Sequence, residues 1–296
     1  MIEQNNEIQE FSISQLSEEQ DIQDIVFNLM ADANLAPINY FNDFTEEVID
    51  VSAVSNDDND ETGMFCSANG QYFAISTHAL HHHLEFDPQQ ATEILVARAV
   101  RKMVCFGAVP EAISSFLYHI NVADPNGQFI AAGAKKGLEN ACRMFNVKLA
   151  ERKIRFDYFS AHGPVYPTII ISIMASIPDK DKLVTHSFKN KGNNLFMIGN
   201  SYDDVNSSDY LEFYHGISDS SLPYFDMDTE VKLLDVMKML IEAKLVSSAN
   251  PVSKGGLFFT LLRAGMPSGL GFDITTDAEI RRDAFLFGES MGRIVV

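Results

Sequence analysis

Apolar residues recur along the 296-residue chain at two periods, and each period marks an element. Ile22, Ile25, Val26 and Leu29 fall at helical spacing and predict a short helix within residues 21–33, after a polar opening over residues 1–20. Met64-Phe65-Cys66 and Tyr72-Phe73-Ala74-Ile75 flank Asn69-Gly70, a pair suited to the left-handed backbone of a type I′ turn, and so predict an antiparallel hairpin. Over residues 92–106 the stripe Leu95, Ala99, Val100, Met103 and Val104 predicts a helix, with Gly107 as its stop and Pro110 beyond. Residues 128–145 predict a second helix, its Gly133 and Gly137 allowing close packing against a sheet. The β-branched run at 168–177 reads as a buried strand, and residues 194–199 as another. Asp228 is the expected N-cap of a helix over 230–246, whose Val231, Leu234, Met237, Met239 and Leu245 supply an apolar face, the methionines as core filler. Gly255 and Gly256 then open the apolar segment 257–262 in a way that lets backbone approach a ligand at a helix start.

This order of elements implies an α+β chain: a polar segment at 1–20, a sheet domain at 21–178, a polar linker at 179–193 and a second α+β domain at 194–296. Hydrophobic residues make up 46% of the chain, enough for real cores. A formal net charge of -19 repels nucleic-acid backbones and anionic membranes, which argues against either as a partner. The three cysteines, Cys66, Cys105 and Cys142, sit in apolar surroundings at wide spacing and read as buried free thiols of a reducing compartment, the cytoplasm. No apolar signal region opens the chain, and no 18 apolar residues run together.

Two stretches carry possible metal chemistry. Residues 55–61 alternate carboxylates and amides but lack the central glycine and terminal glutamate of a calcium loop, so they read as a solvated loop. His78, His81, His82 and His83 offer imidazoles, but consecutive residues of an extended segment point to opposite faces, and a polar segment lining a cleft is the preferred reading.

From Gly255-Gly256 onward, Gly269-Leu270-Gly271-Phe272-Asp273-Ile274, Leu286-Phe287-Gly288-Glu289-Ser290 and Arg293-Ile294-Val295-Val296 follow at fixed distances. With Leu84-Glu85-Phe86-Asp87-Pro88 and Val104-Cys105-Phe106-Gly107-Ala108, these blocks resemble the AIR-synthetase superfamily, most closely the second half of the phosphoribosylformylglycinamidine synthase (formylglycinamide ribonucleotide amidotransferase) synthetase chain. The resemblance implies a two-domain fold whose N-terminal sheet pairs with a second copy, or with a full-length relative, to close a barrel. ATP is then expected between the domains, and a purine-pathway ribonucleotide as substrate. The covered sheet face is expected to be the β-branched one that includes Ile75 and Ile170. The C-terminal domain is expected to be short at its end, leaving residues 292–296 less covered than in relatives.

By the same resemblance, the candidate nucleotide or phosphate contacts are Ser253, Lys254, Gly255, Gly256, Arg152, Ser115, His78, His82 and Asp87. Several are departures. Thr77-His78-Ala79-Leu80-His81-His82 stands where relatives carry Thr-Asp-Cys-Asn-Pro-Arg, and Ser115 stands at a carboxylate position. Ala150-Glu151-Arg152 stands for Ser-Gly-Asn, and Asn250-Pro251-Val252-Ser253-Lys254-Gly255-Gly256-Leu257 has lost both aspartates of His-Asp-Val-Ser-Asp-Gly-Gly-Leu. Loss of oxygen ligands puts magnesium in doubt and leaves no metal site to assign. The family's catalytic histidine lies in the half this chain does not resemble. Two readings stand together: an ATP-dependent amidine-forming ligase of purine biosynthesis with a degenerate site, or a non-catalytic paralogue acting as a structural or regulatory dimerising subunit.

Overall fold

The computed structural model describes residues 12–32, 35, 62–66, 70–81, 83–118, 120–121, 123–155, 159–160, 163–218 and 220–296. The acidic stretch 55–61, Asn69 of the expected turn and His82 lie outside these. The chain divides into two compact units, one holding Met1–Ala36, Ser187–Phe225 and Asn250–Val296, the other Pro37–His186 and Asp226–Ala249. Relative to the expected split at 179–193, α1 (Ile22–Met30) groups with the C-terminal residues, and the helix at Met227–Glu242 groups with the N-terminal sheet.

The sheet of that second unit has five strands in the order β1 (Thr62–Cys66), β2 (Tyr72–Leu80), β7 (Thr168–Ile177), β3 (Val109–Tyr118) and β4 (Lys148–Ile154), with only β3 and β4 parallel. The expected hairpin forms β1 and β2, pairing Thr62 with Ser76 through Cys66 with Tyr72. A short ribbon, β5 (Phe159–Ser160) and β6 (Gly163–Pro164), precedes β7. Along β7 burial alternates. Ile169, Ile171, Ile173, Ala175 and Ile177 are buried against helices, whereas Ile170, Ser172, Met174 and Ser176 lie on the other face.

Helices α2 (Pro88–Cys105) and α3 (Pro125–Met144) cover the buried face. One apolar stripe was read on α2, but it is buried almost all round, because the sheet, α3 and α4 (Met227–Glu242) pack on different sides of it. Gly133 and Gly137 do permit a close approach, but to α2 and not to the sheet. A Cβ on Gly137 would lie 2.4 Å from the Gln89 carbonyl oxygen, and one on Gly133 2.4 Å from Cγ of Pro88. Helix α4 is capped by Asp226, not Asp228, because the Asp226 carboxylate accepts the Thr229 N–H at 2.7 Å while Asp228 already stands in the first turn. The helix stops at Glu242, before Lys244 takes a left-handed φ of 54°. Met237 is core, but Met239 is 70% exposed and is not the expected filler, and Leu245, 72% exposed, does not belong to the buried face. Cys105 and Cys142 are free and buried, and burial pushes their thiols up to about 12 and about 11.

The other unit gathers its core from distant segments: Ile25 and Leu29 of α1, Phe188, Val205, Tyr210 and Leu211, and Leu257, Phe259, Leu261 and Phe287 nearer the C-terminus. Helix α1 starts on Asp21, whose carboxylate accepts the Gln23 and Asp24 N–H groups, and it packs against the π-helical turn Tyr210–Tyr214. Of the expected strand 194–199, Met197–Ile198 (β8) pair in a sheet and Phe196 exchanges two backbone hydrogen bonds with Val296 at 3.0 and 2.9 Å, while Gly199 turns away at a φ of 102°. A three-stranded antiparallel sheet places β10 (Ile294–Val295) between β8 and β9 (Asn250–Pro251). This central position leaves Ile294 and Val295 0% and 2% exposed, so residues 292–296 are not the uncovered edge that was expected. Among the described residues, no helix is long and apolar enough to cross a membrane.

Candidate functional site

Strand β9 delivers the chain into the loop Val252–Gly255, and α5 (Gly256–Gly265) begins at once. Gly255 and Gly256 both take left-handed backbone, φ 75° and 71°, a conformation that costs other residues about 1 kcal/mol or more. A Cβ on Gly256 would fall 2.6 Å from the Leu286 carbonyl oxygen and 2.6 Å from the Phe287 carbonyl carbon, so the close neighbour of this glycine is the backbone of α6 (Arg282–Phe287). The Ser253 carbonyl accepts the Gly256 N–H at 2.9 Å, and the Lys254 carbonyl accepts the Arg263 guanidinium at 2.7 Å. That backbone anchoring leaves the Lys254 side chain exposed.

Behind the loop stands Glu289, 4% exposed, whose Oε1 accepts the Gly255 N–H at 3.0 Å and the Asp209 N–H at 2.9 Å. A second buried carboxylate, Asp283, accepts the Tyr210 hydroxyl at 3.0 Å, the Ala284 N–H at 2.8 Å and two Arg281 guanidinium bonds at 3.1 and 2.7 Å. Burial would raise the Asp283 carboxyl, but Arg281, Tyr210 and the Ala284 N–H together hold it below the usual value. Burial, joined by Asp283, pushes the Tyr210 hydroxyl far upward. Arg281 also donates to the Ile13 and Leu16 carbonyls at 2.8 Å each, tying the N-terminal segment to this unit. Glu289 was quoted in the sequence only inside a resemblance block, and Asp283 and Arg281 not at all. The available signal was a pair of carboxylates, Asp283 and Glu289, bracketing the apolar run Ala284–Gly288.

The remaining candidates belong to the sheet unit. Asp87 caps α2, accepting the Gln90 N–H at 2.9 Å. His78 pairs in register with Ile171, Ile171 with Ser115, and Ser115 with Arg152, so three candidates share one row across the sheet. That row faces the helices. Ser115 is 1% exposed, its Oγ has no hydrogen-bond partner, and Arg152 bonds Glu139 of α3 at 3.4 Å. His78 Nε2 lies 2.8 Å from the Ser76 hydroxyl. The structure therefore gathers Ser253, Lys254, Gly255 and Gly256 in one unit and His78, Asp87, Ser115 and Arg152 in the other. Among the described residues no three His, Cys, Asp or Glu side chains are grouped so as to hold a metal ion. Among the candidate positions the one carboxylate, Asp87, is engaged as a helix cap, and Glu289, outside the candidate set, is bonded to two backbone amides.

The family description "AIR synthase related protein, N-terminal domain" matches residues 59–176, and its C-terminal counterpart matches residues 190–296. The chain belongs to the AIR synthase related family. Within that family, the phosphoribosylformylglycinamidine synthase subunit PurL of Moorella thermoacetica is 25% identical over 98% of this chain and 40% of its own length. The same subunit of Deinococcus radiodurans is 30% identical over 72% of this chain and 30% of its own. The AIR synthase related chain thus spans about 40% of the first of these relatives. Its fold matches Thermotoga maritima PurL complexed with FGAR at a TM-score of 0.72 and 16% identity, covering 95% of this chain and 45% of that one. It also matches AaThiL complexed with AMPPCP and TMP, at a TM-score of 0.56 and 11% identity over 86% and 82% of the two chains.

Proposed function

We propose that this chain is a phosphoribosylformylglycinamidine synthase-like protein of purine biosynthesis whose nucleotide site keeps an anion contact but no longer supports magnesium-dependent phosphoryl transfer. The observation that carries the family part is the match of 98% of the chain to PurL. ATP as the ligand class is supported by PurL structures complexed with ADP, AMPPCP and ATP. The loss of metal-supported chemistry is favoured by the side chains present: a lysine at position 254, an arginine at 152 bonded to Glu139, and Asp87 engaged as a helix cap. Lys254 is then the group that meets a phosphate, as a point charge without a metal between them.

The second reading, a non-catalytic subunit that pairs with itself or with a longer relative, is favoured by the open face of the five-stranded sheet. There Ile75, Ile170, Met174 and Phe116 surround Thr77, Ser172 and Ser114, and Ile75 and Met174 remain 38% and 39% exposed. Titrating the protein with ATP and ADP, with magnesium and with chelator, and assaying turnover with formylglycinamide ribonucleotide and ammonia, tests both readings. We expect no turnover, nucleotide binding indifferent to chelator, and its loss in Lys254→Ala. A ligand at 100 times its dissociation constant stabilises the fold by about 2.7 kcal/mol, which scanning calorimetry resolves. Magnesium-dependent turnover would overturn the degenerate site and restore the enzyme.

A further inference from the structure

A helix N-terminus exposes backbone N–H groups and the positive end of the helix dipole, and something negative normally satisfies them. At α5 no N-cap side chain does so, because Gly255 occupies that position. The acceptor comes instead from 34 residues further along the chain. Oε1 of Glu289 takes the Gly255 N–H at 3.0 Å, and the same oxygen takes the Asp209 N–H at 2.9 Å from the segment leading into the π-helical turn. Backbone contact fixes where this carboxylate stands. A Cβ on Gly288 would lie 2.4 Å from the Asp204 carbonyl oxygen and 2.5 Å from that of Ala284, so the segment carrying Glu289 is pressed between the 204–209 loop and α6. Gly256 abuts the same segment from the other side, at Leu286 and Phe287.

We propose that Glu289 is the built-in anion of the α5 N-terminus and the positioning residue of the Ser253–Gly256 loop, so that an incoming phosphate meets the Lys254 side chain and not the Gly255 amide. The inference rests on the reading of that loop as the anion-facing one. Glu289 then has two opposed effects. Its hydrogen bonds hold the loop and the 204–209 segment in place, whereas its negative charge works against any second anion bound nearby. An intact loop with the charge removed should therefore bind phosphate compounds more tightly, which a purely structural residue would not produce.

Two measurements on the full chain separate these effects. Amide hydrogen exchange needs no ligand. Gly255 and Asp209 should be protected in the parent protein and in Glu289→Gln, which keeps a carbonyl acceptor, and should exchange about tenfold faster in Glu289→Ala while the α5 interior is unchanged. Should Glu289→Ala not fold, Glu289→Asp, one methylene short of both amides, takes its place. Unchanged exchange in whichever variant folds would overturn the positioning role. In calorimetric titration with ADP and no metal, Glu289→Gln should tighten binding about threefold and Lys254→Ala should abolish it. Weaker or equal binding in Glu289→Gln would overturn the resident-anion assignment. If the parent protein binds no ADP, the nucleotide reading fails by itself, and the exchange result still decides whether Glu289 organises the loop.

Discussion

Arg101 and Glu230 are each 1% exposed, and they meet in a two-pronged pair at 2.6 and 2.7 Å. Removing Glu230 takes from a buried guanidinium the carboxylate that pairs with it through two bonds, so Glu230→Ala should destabilise the protein by about 3–5 kcal/mol in urea unfolding. The combined replacement of both by apolar side chains of similar volume should restore most of that loss. A second expectation at this scale concerns pH. His215 stands edge-on to Tyr210 and Tyr214, with ring centroids 4.7 and 5.0 Å away, and its Nε2 is buried without a hydrogen-bond partner. Burial lowers its pKa below the ordinary 6.5, against a smaller upward pull from Asp283 and Glu19 and with a further push from Arg281. The unfolded chain therefore takes up the proton first, and stability is lost as pH falls from about 6.5 toward the folded value. His215→Phe should flatten thermal midpoints over that range, and an unchanged slope would count against the burial argument.

Among the elements, the contact of α2 with α3 is set by two glycines. Alanine at position 137 gains helix propensity of about 1 kcal/mol but brings a Cβ to 2.4 Å from a backbone oxygen that cannot rotate away. We expect Gly137→Ala to lower stability by about 1–3 kcal/mol, read as a lower urea midpoint with an unchanged slope. The Gly133 neighbour is a proline ring, also stiff, so the two substitutions should both be harmful and, being one helical turn apart, not additive. Helix α1 makes a comparable long-range contribution. Ile25 and Leu29 are both fully buried, and Tyr214 donates to Asp24 at 2.8 Å. Ile25→Ala should therefore cost about 2–5 kcal/mol, although most of the core it completes comes from Phe188 onward.

At the scale of the molecule, the proposed pairing with a second copy uses the sheet face on which Ile75 and Met174 are part-exposed among the described residues. Ile170 and Ile171 are adjacent in β7 but face opposite ways, Ile171 buried against the helices and Ile170 not. Ile171→Asp should unfold the sheet unit. Ile170→Asp and Ile75→Asp should leave the circular dichroism spectrum intact and convert a dimer to a monomer in analytical ultracentrifugation. A parent protein that sediments as a monomer at micromolar concentration would remove the pairing proposal.

Local signals carried far in this chain. The β-branched run at 168–177 matches β7 to the residue, the Asn-Gly pair implies the β1–β2 hairpin, and Gly107 marks the end of α2, because each rests on interactions within a few residues; the start of α2 at Pro88, ahead of the expected residue 92, is set by the Asp87 cap. What only the tertiary structure decided was everything whose cause lies far along the chain. Gly133 and Gly137 read as sheet contacts, but Pro88 and Gln89 of the neighbouring helix stand against them. Met239 and Leu245 fit an apolar stripe, but α4 meets α2 on only one side. The short β10 looked like an exposed end until β8 and β9 closed on it from both sides. At the candidate site the sequence marked Lys254, Gly255 and Gly256 as an anion-facing turn. That the Gly255 amide already has an acceptor followed only from the folding of Glu289 back onto it, since a buried carboxylate is assigned by its donors and those donors lie 34 and 80 residues away.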